Sequence, residues 1–221
     1  MKSTKMMLML LVMFLVAAFS IAQADTIVLV TSPSGTNTVD WSQLGAPGTV
    51  LPHAFVAFSA GGDTATGLFS APTSNKGELV QQGTDWNGNF AAGQFAVWTT
   101  NHGPLTVSFG NGYNAVGAYF QQNTFGAFTA QLQVYNGSTL LGTVTENGVS
   151  NSTVGTAIFL GALDKTGPNI TKVIFSETAG TNKNDFAIGT MYLGVPEPGT
   201  LVLLGSGLIG LAGVVRRRMS K

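Results

Sequence analysis

The amino-acid sequence predicts an all-β protein whose folded part is an antiparallel two-sheet β-sandwich of the jelly-roll type. Three observations predict it. Apolar and polar residues alternate with a period of two in many short segments between residues 25 and 194. Clusters of Gly, Asn, Pro and Asp separate those segments. Finally, no segment in that range has the apolar periodicity of an amphipathic helix.

The first 24 residues have the three parts of a secretory signal peptide. Lys2 and Lys5 precede an almost uninterrupted apolar run from residue 6 to residue 18, and the segment closes on Ala22 and Ala24 with Gln23 between them. A small-residue A-x-A sequence after such a run is typical of the site that signal peptidase cleaves. We therefore expect export, with cleavage after Ala24. An uncleaved anchor helix is the alternative.

The clearest strand covers residues 127–135. Its even-numbered residues from Phe128 to Val134 are apolar, and its odd-numbered residues from Thr129 to Tyr135 are Thr, Gln or Tyr. Asn136-Gly137 follows and predicts a hairpin with a return strand that begins near residue 138. The other predicted strands are residues 26–31, 54–59, 94–99, 105–109, 115–121, 156–160, 170–176 and 186–193. Some ten short strands are typical of a sandwich, so one domain over residues 25–194 is predicted.

Charge and cysteine content restrict what this domain does. Residues 25–194 contain four lysines and nine carboxylates, a net charge of −5, whereas the whole chain is neutral. An acidic surface disfavours nucleic acid and anionic lipid as partners. The chain has no cysteine, which excludes disulfides, thiolate metal sites and cysteine nucleophiles.

The tail from residue 195 to residue 221 differs from the domain before it. Val195, Pro196, Glu197 and Pro198 begin it, and an uncharged apolar run extends over residues 201–215. That run is about 22 Å long as a helix, and with its flanking residues it predicts a transmembrane helix over about residues 200–215. Arginines beside such a helix stay on the cytoplasmic side, which leaves the domain outside the inner membrane. These arginines are Arg216, Arg217 and Arg218.

The order of proline motif, short membrane helix and arginine cluster resembles the PEP-CTERM sorting signal of Gram-negative bacteria. The same signal is also called the ice-binding-protein C-terminal motif, a label that does not imply ice binding. The resemblance implies that an exosortase, a membrane cysteine transpeptidase, removes the tail near Pro196. It further implies release or attachment at the cell surface, often in bacteria that make exopolysaccharide. Signal peptidase and exosortase are then the processing partners, and the inner membrane holds the chain transiently. A permanent single-pass anchor is the alternative.

Residues 104–194 resemble, more loosely, the sandwich core of many PEP-CTERM proteins. In those proteins the last strand reads like FAIDDL. This chain has Gly189-Thr190 after Phe186-Ala187-Ile188, where relatives often have paired Asp residues. The resemblance therefore implies no calcium or ligand role for this strand.

The sequence predicts no catalytic site and no enzyme activity. His53 and His102 are the only histidines, and no G-x-S-x-G nucleophile elbow occurs. The carboxylates lie in or beside predicted turns, so a hydrolase with paired carboxylates is the least favoured hypothesis. No cofactor is predicted, although Asp164 and Asp185 are candidates for a structural Ca²⁺ site.

Aromatic residues near polar turns are the remaining candidates for function. Trp86 lies in the polar segment TDWNGNF, and its ring either contacts sugar or plugs the sandwich edge. Tyr113 and Tyr135 are further candidates for carbohydrate contact, whereas Trp98, in an apolar strand, is predicted to be core. The leading hypothesis is a non-enzymatic, exported cell-surface or extracellular-matrix protein associated with exopolysaccharide. The alternative is a carbohydrate-binding module with a sugar site near Trp86.

Overall fold

The structure is a computed structural model that describes residues 26–33, 35–70 and 77–194. Within these residues the chain forms fourteen strands and one short 3-10 helix, Trp41–Leu44. In chain order the strands are β1 (Ile27–Val30), β2 (Asn37–Val39), β3 (Thr49–Leu51), β4 (Ala54–Phe58), β5 (Thr64–Phe69), β6 (Gly77–Gln81), β7 (Phe95–Trp98), β8 (Leu105–Tyr113), β9 (Ala115–Gln122), β10 (Gly126–Asn136), β11 (Thr139–Ser150), β12 (Ile158–Asp164), β13 (Ile170–Ala179) and β14 (Phe186–Gly194).

The strands pair antiparallel and build two sheets. The eight-stranded sheet has the order β1-β12-β9-β14-β7-β6-β3, and β2 also pairs with β14. The six-stranded sheet has the order β11-β10-β13-β8-β5-β4. This architecture confirms the predicted antiparallel two-sheet β-sandwich.

Alternation along each strand places the core between the two sheets. In β10, Phe128, Leu132 and Val134 are buried, while the Thr and Gln residues between them are half-buried on the outer face. In β9 of the other sheet, Val116 and Phe120 point into the same core. The apolar residues of both inner faces form one continuous cluster, which is the main source of stability expected for a chain without disulfides.

The β14 strand is irregular at Gly189-Thr190, where its register against β9 shifts between Ile188 and Met191. The Gly189 carbonyl accepts a hydrogen bond of 2.8 Å from the indole N–H of the buried Trp41. The register shift at Gly189-Thr190 therefore lies where the 3-10 helix contacts β14.

All ten predicted strands are present, and several are longer than predicted. The sequence does not predict β2, β3, β5 and β6. In β5 the buried positions include Ala65, with only a methyl group, and Gly67, with no side chain, so the strand gives little apolar signal. The Gly67 position is closely packed, because a Cβ atom there would lie 2.2 Å from the ring of Phe55.

Several predictions fall on residues outside the described ranges. They are the signal peptide of residues 1–24, the proline motif, the transmembrane helix of about residues 200–215 and the arginine cluster. Among the described residues, no helix has both the length and the apolar character required to cross a bilayer.

Candidate functional site

The outer face of the eight-stranded sheet carries a row of aromatic side chains. Val97, Phe120 and Met191 belong to the core. Because side chains alternate along a strand, their neighbours Trp98, Tyr119 and Tyr192 lie on the opposite face of the sheet. All three are half-buried.

The loop between β6 and β7, residues 82–94, covers the middle of this outer face. Trp86, 6% exposed, and the fully buried Phe90 pack onto the sheet there. The Trp86 ring centroid lies 5.6 Å from that of Trp98 and 6.3 Å from that of Phe90. These residues belong to a second, smaller apolar cluster of Val80, Trp86, Phe90, Ala96 and Ala187.

Gln121 of β9 fixes this loop to the sheet. Its side-chain oxygen accepts hydrogen bonds from the Trp86 indole N–H at 3.1 Å and from the Asn89 backbone N–H at 2.7 Å. Its amide nitrogen donates to Ser150 Oγ at 3.0 Å. Gly88 lies directly over this amide, since a Cβ atom there would be 2.2 Å from Gln121 Nε2. The loop is therefore held in one position by buried polar contacts.

A groove of about 520 Å³ opens where this loop meets the turn between β9 and β10. We call it the tryptophan groove. Phe125 is 52% exposed at its rim, and Trp98 contributes a half-buried ring. The lining of the tryptophan groove combines aromatic rings with carboxylate, amide and hydroxyl groups. The lining residues are Asp85, Trp86, Asn87, Trp98, Asn123, Thr124 and Phe125.

Asp185 does not line the tryptophan groove, but it holds two residues that do, Trp98 and Asn123. Its carboxylate accepts hydrogen bonds from the Trp98 indole N–H at 2.6 Å and from the Asn123 side-chain amide at 2.8 Å. The Asn123 backbone N–H also donates to the Asp185 carbonyl at 2.9 Å. Asp185 is only 5% exposed, so these charge-assisted bonds are shielded from water and hold the Trp98 ring in a defined orientation.

Glu177 is buried near Asp185, with 6% of its surface exposed. Neither oxygen of its carboxyl group has a hydrogen-bond partner in the described part of the chain. Burial, and after it the negative charge of Asp185, raises the pKa of Glu177 to about 8. Glu177 is therefore mostly protonated at neutral pH, which avoids two adjacent buried charges.

The three aromatic candidates from the sequence lie in different places. Trp86 lines the tryptophan groove, but most of its side chain is buried against the sheet. Tyr113 is 2% exposed, and its hydroxyl donates to Asp63 Oδ2 at 2.7 Å. Burial and this contact raise the pKa of Tyr113. Its ring face is thus enclosed, which corrects the expectation that it contacts carbohydrate.

Tyr135 lies on the outer face of the six-stranded sheet, away from the tryptophan groove. Its ring is half-buried, and the ammonium of Lys172 lies 4.4 Å from the ring centroid. Such a cation–π contact occupies one face of the ring. Sugar contact at Tyr135 remains a prediction, but it cannot form one site with Trp86.

The expected Ca²⁺ site is not assembled from Asp164 and Asp185. The Asp164 backbone N–H donates to the carbonyl of Asn114, the residue that precedes β9. The Asp185 carbonyl accepts a hydrogen bond from the backbone N–H of Asn123, the residue that follows β9. The two carboxylates therefore lie at opposite ends of an eight-residue strand, roughly 25 Å apart. Within the described residues, no group of three or more His, Asp or Glu residues is placed to hold a metal ion.

Asp164 instead stabilises its own turn. Its carboxylate accepts hydrogen bonds from the backbone and hydroxyl of Thr166 and from the side chain of Asn169. Burial acts to raise the pKa of Asp164, but these hydrogen bonds together with one from the Gly167 backbone lower it. The Asp164 carboxylate therefore accepts hydrogen bonds within its own turn, residues 164–169.

Comparison with known proteins identifies the tail. The family of the PEP-CTERM protein-sorting motif matches residues 194–218. The chain carries a PEP-CTERM protein-sorting motif. The match begins at Gly194, the last residue of β14, and includes the proline motif and all three arginines. The motif implies export, sorting to the cell surface and processing by exosortase.

Two solved structures are similar to part of this chain. One is CsCBM6-3 from Clostridium stercorarium in complex with cellobiose, with 14% identity, a TM-score of 0.34, and coverage of 57% of this chain and 88% of that chain. The other is a family 6 carbohydrate-binding module, with 11% identity, a TM-score of 0.26 and the same coverage of 57% and 88%. No curated protein matches the PEP-CTERM chain.

Most of the tryptophan groove is not predicted by the sequence. Trp98 is expected in the core, yet it follows the core residue Val97 and so faces outward. Phe125 lies in the polar segment QQNTFG, the same signal that singles out Trp86. Asn123 and Asp185 carry no local signal, because their role arises from a contact across 62 positions.

Proposed function

We propose that the chain is a non-enzymatic, exported cell-surface or extracellular-matrix protein that associates with exopolysaccharide. The PEP-CTERM motif at residues 194–218 supports the sorting route. On this proposal signal peptidase removes residues 1–24 after Ala24. The tail then holds the chain in the inner membrane until exosortase cleaves near Pro196. The sandwich is the part that remains at the cell surface, in a jelly-roll-like fold.

The tryptophan groove is the observation that favours a defined sugar site, the more specific candidate function. Sugar rings have apolar C–H faces and polar hydroxyl edges. Trp98 and Phe125 offer ring surfaces for the faces, and Asn87, Asn123 and Thr124 offer amide and hydroxyl groups for the edges. The one lining carboxylate, Asp85, and the domain charge of −5 favour a neutral glycan over an anionic one.

The groove is also organised before any ligand arrives. Asp185 fixes Trp98 and Asn123, and Gln121 fixes the loop that carries Trp86. A prearranged wall loses less conformational freedom when it binds, so more of the contact energy appears as affinity. This prearrangement supports a site built for binding.

Phe125→Ala tests this proposal. Soluble neutral and anionic polysaccharides are titrated against indole fluorescence and in a calorimeter. We expect saturable binding of a neutral polysaccharide and an affinity loss of about tenfold, equivalent to about 1.4 kcal/mol, in Phe125→Ala. The matched control is Phe58→Ala, because Phe58 is 53% exposed on the outer face of β4; it should bind like the native protein.

Three results separate the candidates. Saturable binding that Phe125→Ala weakens supports the defined sugar site. Weak, unsaturable binding that neither variant changes supports adhesion or packing in exopolysaccharide without a defined site. New reducing ends that appear during incubation with the purified protein would show an enzyme and overturn the non-enzymatic proposal.

A further inference from the structure

A second groove, of about 410 Å³, lies on the same outer face of the eight-stranded sheet. We call it the tyrosine groove. The later half of the loop of residues 82–94 forms one wall, and Tyr119 and Tyr192 form the other. The loop thus borders both grooves, with Trp86 on one side and residues 89–94 on the other. The residues that define the tyrosine groove are Asn89, Ala91, Gln94, Tyr119, Thr190 and Tyr192.

Ring contacts fix the two tyrosines. The Tyr119 and Tyr192 centroids lie 6.2 Å apart with the rings nearly perpendicular. Both rings also pack edge to face against Phe159, at 5.5 Å and 5.8 Å. In the described residues, no hydrogen bond is formed by either tyrosine hydroxyl. The rings are therefore held by packing, while their hydroxyl groups are available to a ligand.

The polar groups of the tyrosine groove are all uncharged. Among the residues that the structure describes, no Asp, Glu, Lys, Arg or His lines it. Gln94 donates to Thr190 Oγ1 at 3.3 Å and accepts from the Ala91 N–H at 3.2 Å, which fixes its amide at the groove wall. Burial, and after it the proximity of Tyr119, raises the pKa of Tyr192, so its hydroxyl remains a donor in alkaline solution. This lining matches a neutral, hydroxyl-rich ligand.

Sheet geometry sets the distance between the two grooves. Trp98 of β7 and Gln121 of β9 both face Ala187 of β14. Two strand spacings are about 10 Å, and Tyr119 lies two residues along β9, about 7 Å. The Trp98 and Tyr119 backbones are therefore about 12 Å apart beneath the loop of residues 82–94, and a glycan that reaches both grooves passes over that loop.

We propose that the tyrosine groove is a second binding site for a neutral glycan, and that one extended chain occupies both grooves. This inference rests on the proposed sugar site in the tryptophan groove. Binding at the first groove holds the chain near the second, so the second contact forms at high effective concentration. A polysaccharide should therefore bind more tightly than a disaccharide, which fits in one groove at a time.

The double variant Tyr119→Phe/Tyr192→Phe tests the second site, because it removes both hydroxyls and keeps both rings. Neutral gluco-, manno- and galacto-oligosaccharides, as disaccharides and hexasaccharides, are titrated calorimetrically against the full chain. We expect the double variant to bind the preferred hexasaccharide about tenfold more weakly. Its disaccharide stoichiometry should fall from two to one. Thr143→Val removes one hydroxyl from an exposed residue of β11 in the other sheet, so it is the matched control and should bind like the native protein.

The outcomes distinguish this inference from the proposed function. Hexasaccharide binding that Phe125→Ala weakens and the double variant leaves unchanged overturns the tyrosine groove but keeps the tryptophan groove. The reverse pattern keeps glycan binding at the tyrosine groove, but it overturns the tryptophan groove and with it the binding of one chain across both grooves. If no neutral hexasaccharide binds the native chain, both are overturned. An unchanged unfolding midpoint in the double variant confirms that lost binding is not lost folding.

Discussion

Glu177 is the residue whose chemistry least fits its surroundings. Its neighbours on the inner face of β13, Val173 and Phe175, are core residues, and its carboxyl group has no partner among the described residues. A carboxylate in such a place loses its hydration without compensation. The group therefore stays protonated at neutral pH, and its proton is linked to folding.

The pKa of Glu177 predicts a pH-dependent stability. The pKa is about 8 in the folded chain and 4.5 when unperturbed. Between these values the unfolded chain has released a proton that the folded chain retains, so stability falls as pH rises from about 4.5 to 8. Glu177→Gln should remove this slope and raise stability at pH 8 by a few kcal/mol, since one pKa unit equals about 1.4 kcal/mol. Urea unfolding at several pH values measures both effects.

Glu146→Gln is the control for that experiment. Glu146 is half-buried in β11 of the same sheet, so its substitution removes one carboxylate without changing the buried one. The slope should persist in Glu146→Gln and be absent from Glu177→Gln. Equal slopes in the two variants would mean that Glu177 ionises in the folded protein as it does in the unfolded chain.

At the scale of elements, the loop of residues 82–94 depends on one side chain of the sheet beneath it. Gln121→Ala leaves the buried Trp86 indole and the Asn89 backbone N–H without their acceptor. A buried unsatisfied donor costs roughly 1–3 kcal/mol, so the variant should lose about 2–5 kcal/mol of unfolding free energy. Urea unfolding gives this loss, and limited proteolysis should show earlier cleavage within the loop.

Gln131→Ala is the matched control for the loop. Gln131 lies half-buried on the outer face of β10, and its side-chain contact is a long one, 3.5 Å from Ser176 Oγ. Its removal should change stability by less than about 0.5 kcal/mol, as surface substitutions generally do. If both variants lose the same amount, the loop is not held by the Gln121 amide.

The same elements show how far the sequence predicts this fold. The long alternation of β10 predicts its position and its buried face, because Phe128, Leu132 and Val134 give a strong apolar signal. β5 escapes prediction because a small inward residue, Gly67, leaves room for the ring of Phe55. The grooves are not predicted for another reason. Trp98 and Asn123 are held together by Asp185, and local sequence patterns do not encode such long-range contacts.

At the scale of the whole molecule, the sandwich and the sorting motif meet at one residue. β14 pairs with β9, β7 and β2 inside the eight-stranded sheet and ends at Gly194. The PEP-CTERM match begins at that same residue. Cleavage near Pro196 would therefore leave every described strand and both grooves intact. The tail can be removed without changing the part of the protein that is proposed to bind glycan.

The sorting route predicts a specific mature product. In a host that has an exosortase, the native chain should be recovered outside the inner membrane with an intact mass that corresponds to residue 25 through a position near Pro196. Glu197→Ala should remain as a longer, membrane-associated species, because the substitution changes the centre of the Pro-Glu-Pro motif. Mass spectrometry of fractionated cells measures both. Glu78→Ala, in β6 of the sandwich, is the control and should be processed like the native chain.

The same host without its exosortase completes that test. There the native chain should resemble Glu197→Ala, since no enzyme removes its tail. A native chain that stays unprocessed in the inner membrane of both hosts would instead make the apolar run a permanent anchor, with the three arginines on its cytoplasmic side. The sandwich would then be a tethered periplasmic module. Its two grooves would meet only glycans that pass through the periplasm, and the role in an extracellular matrix would be excluded.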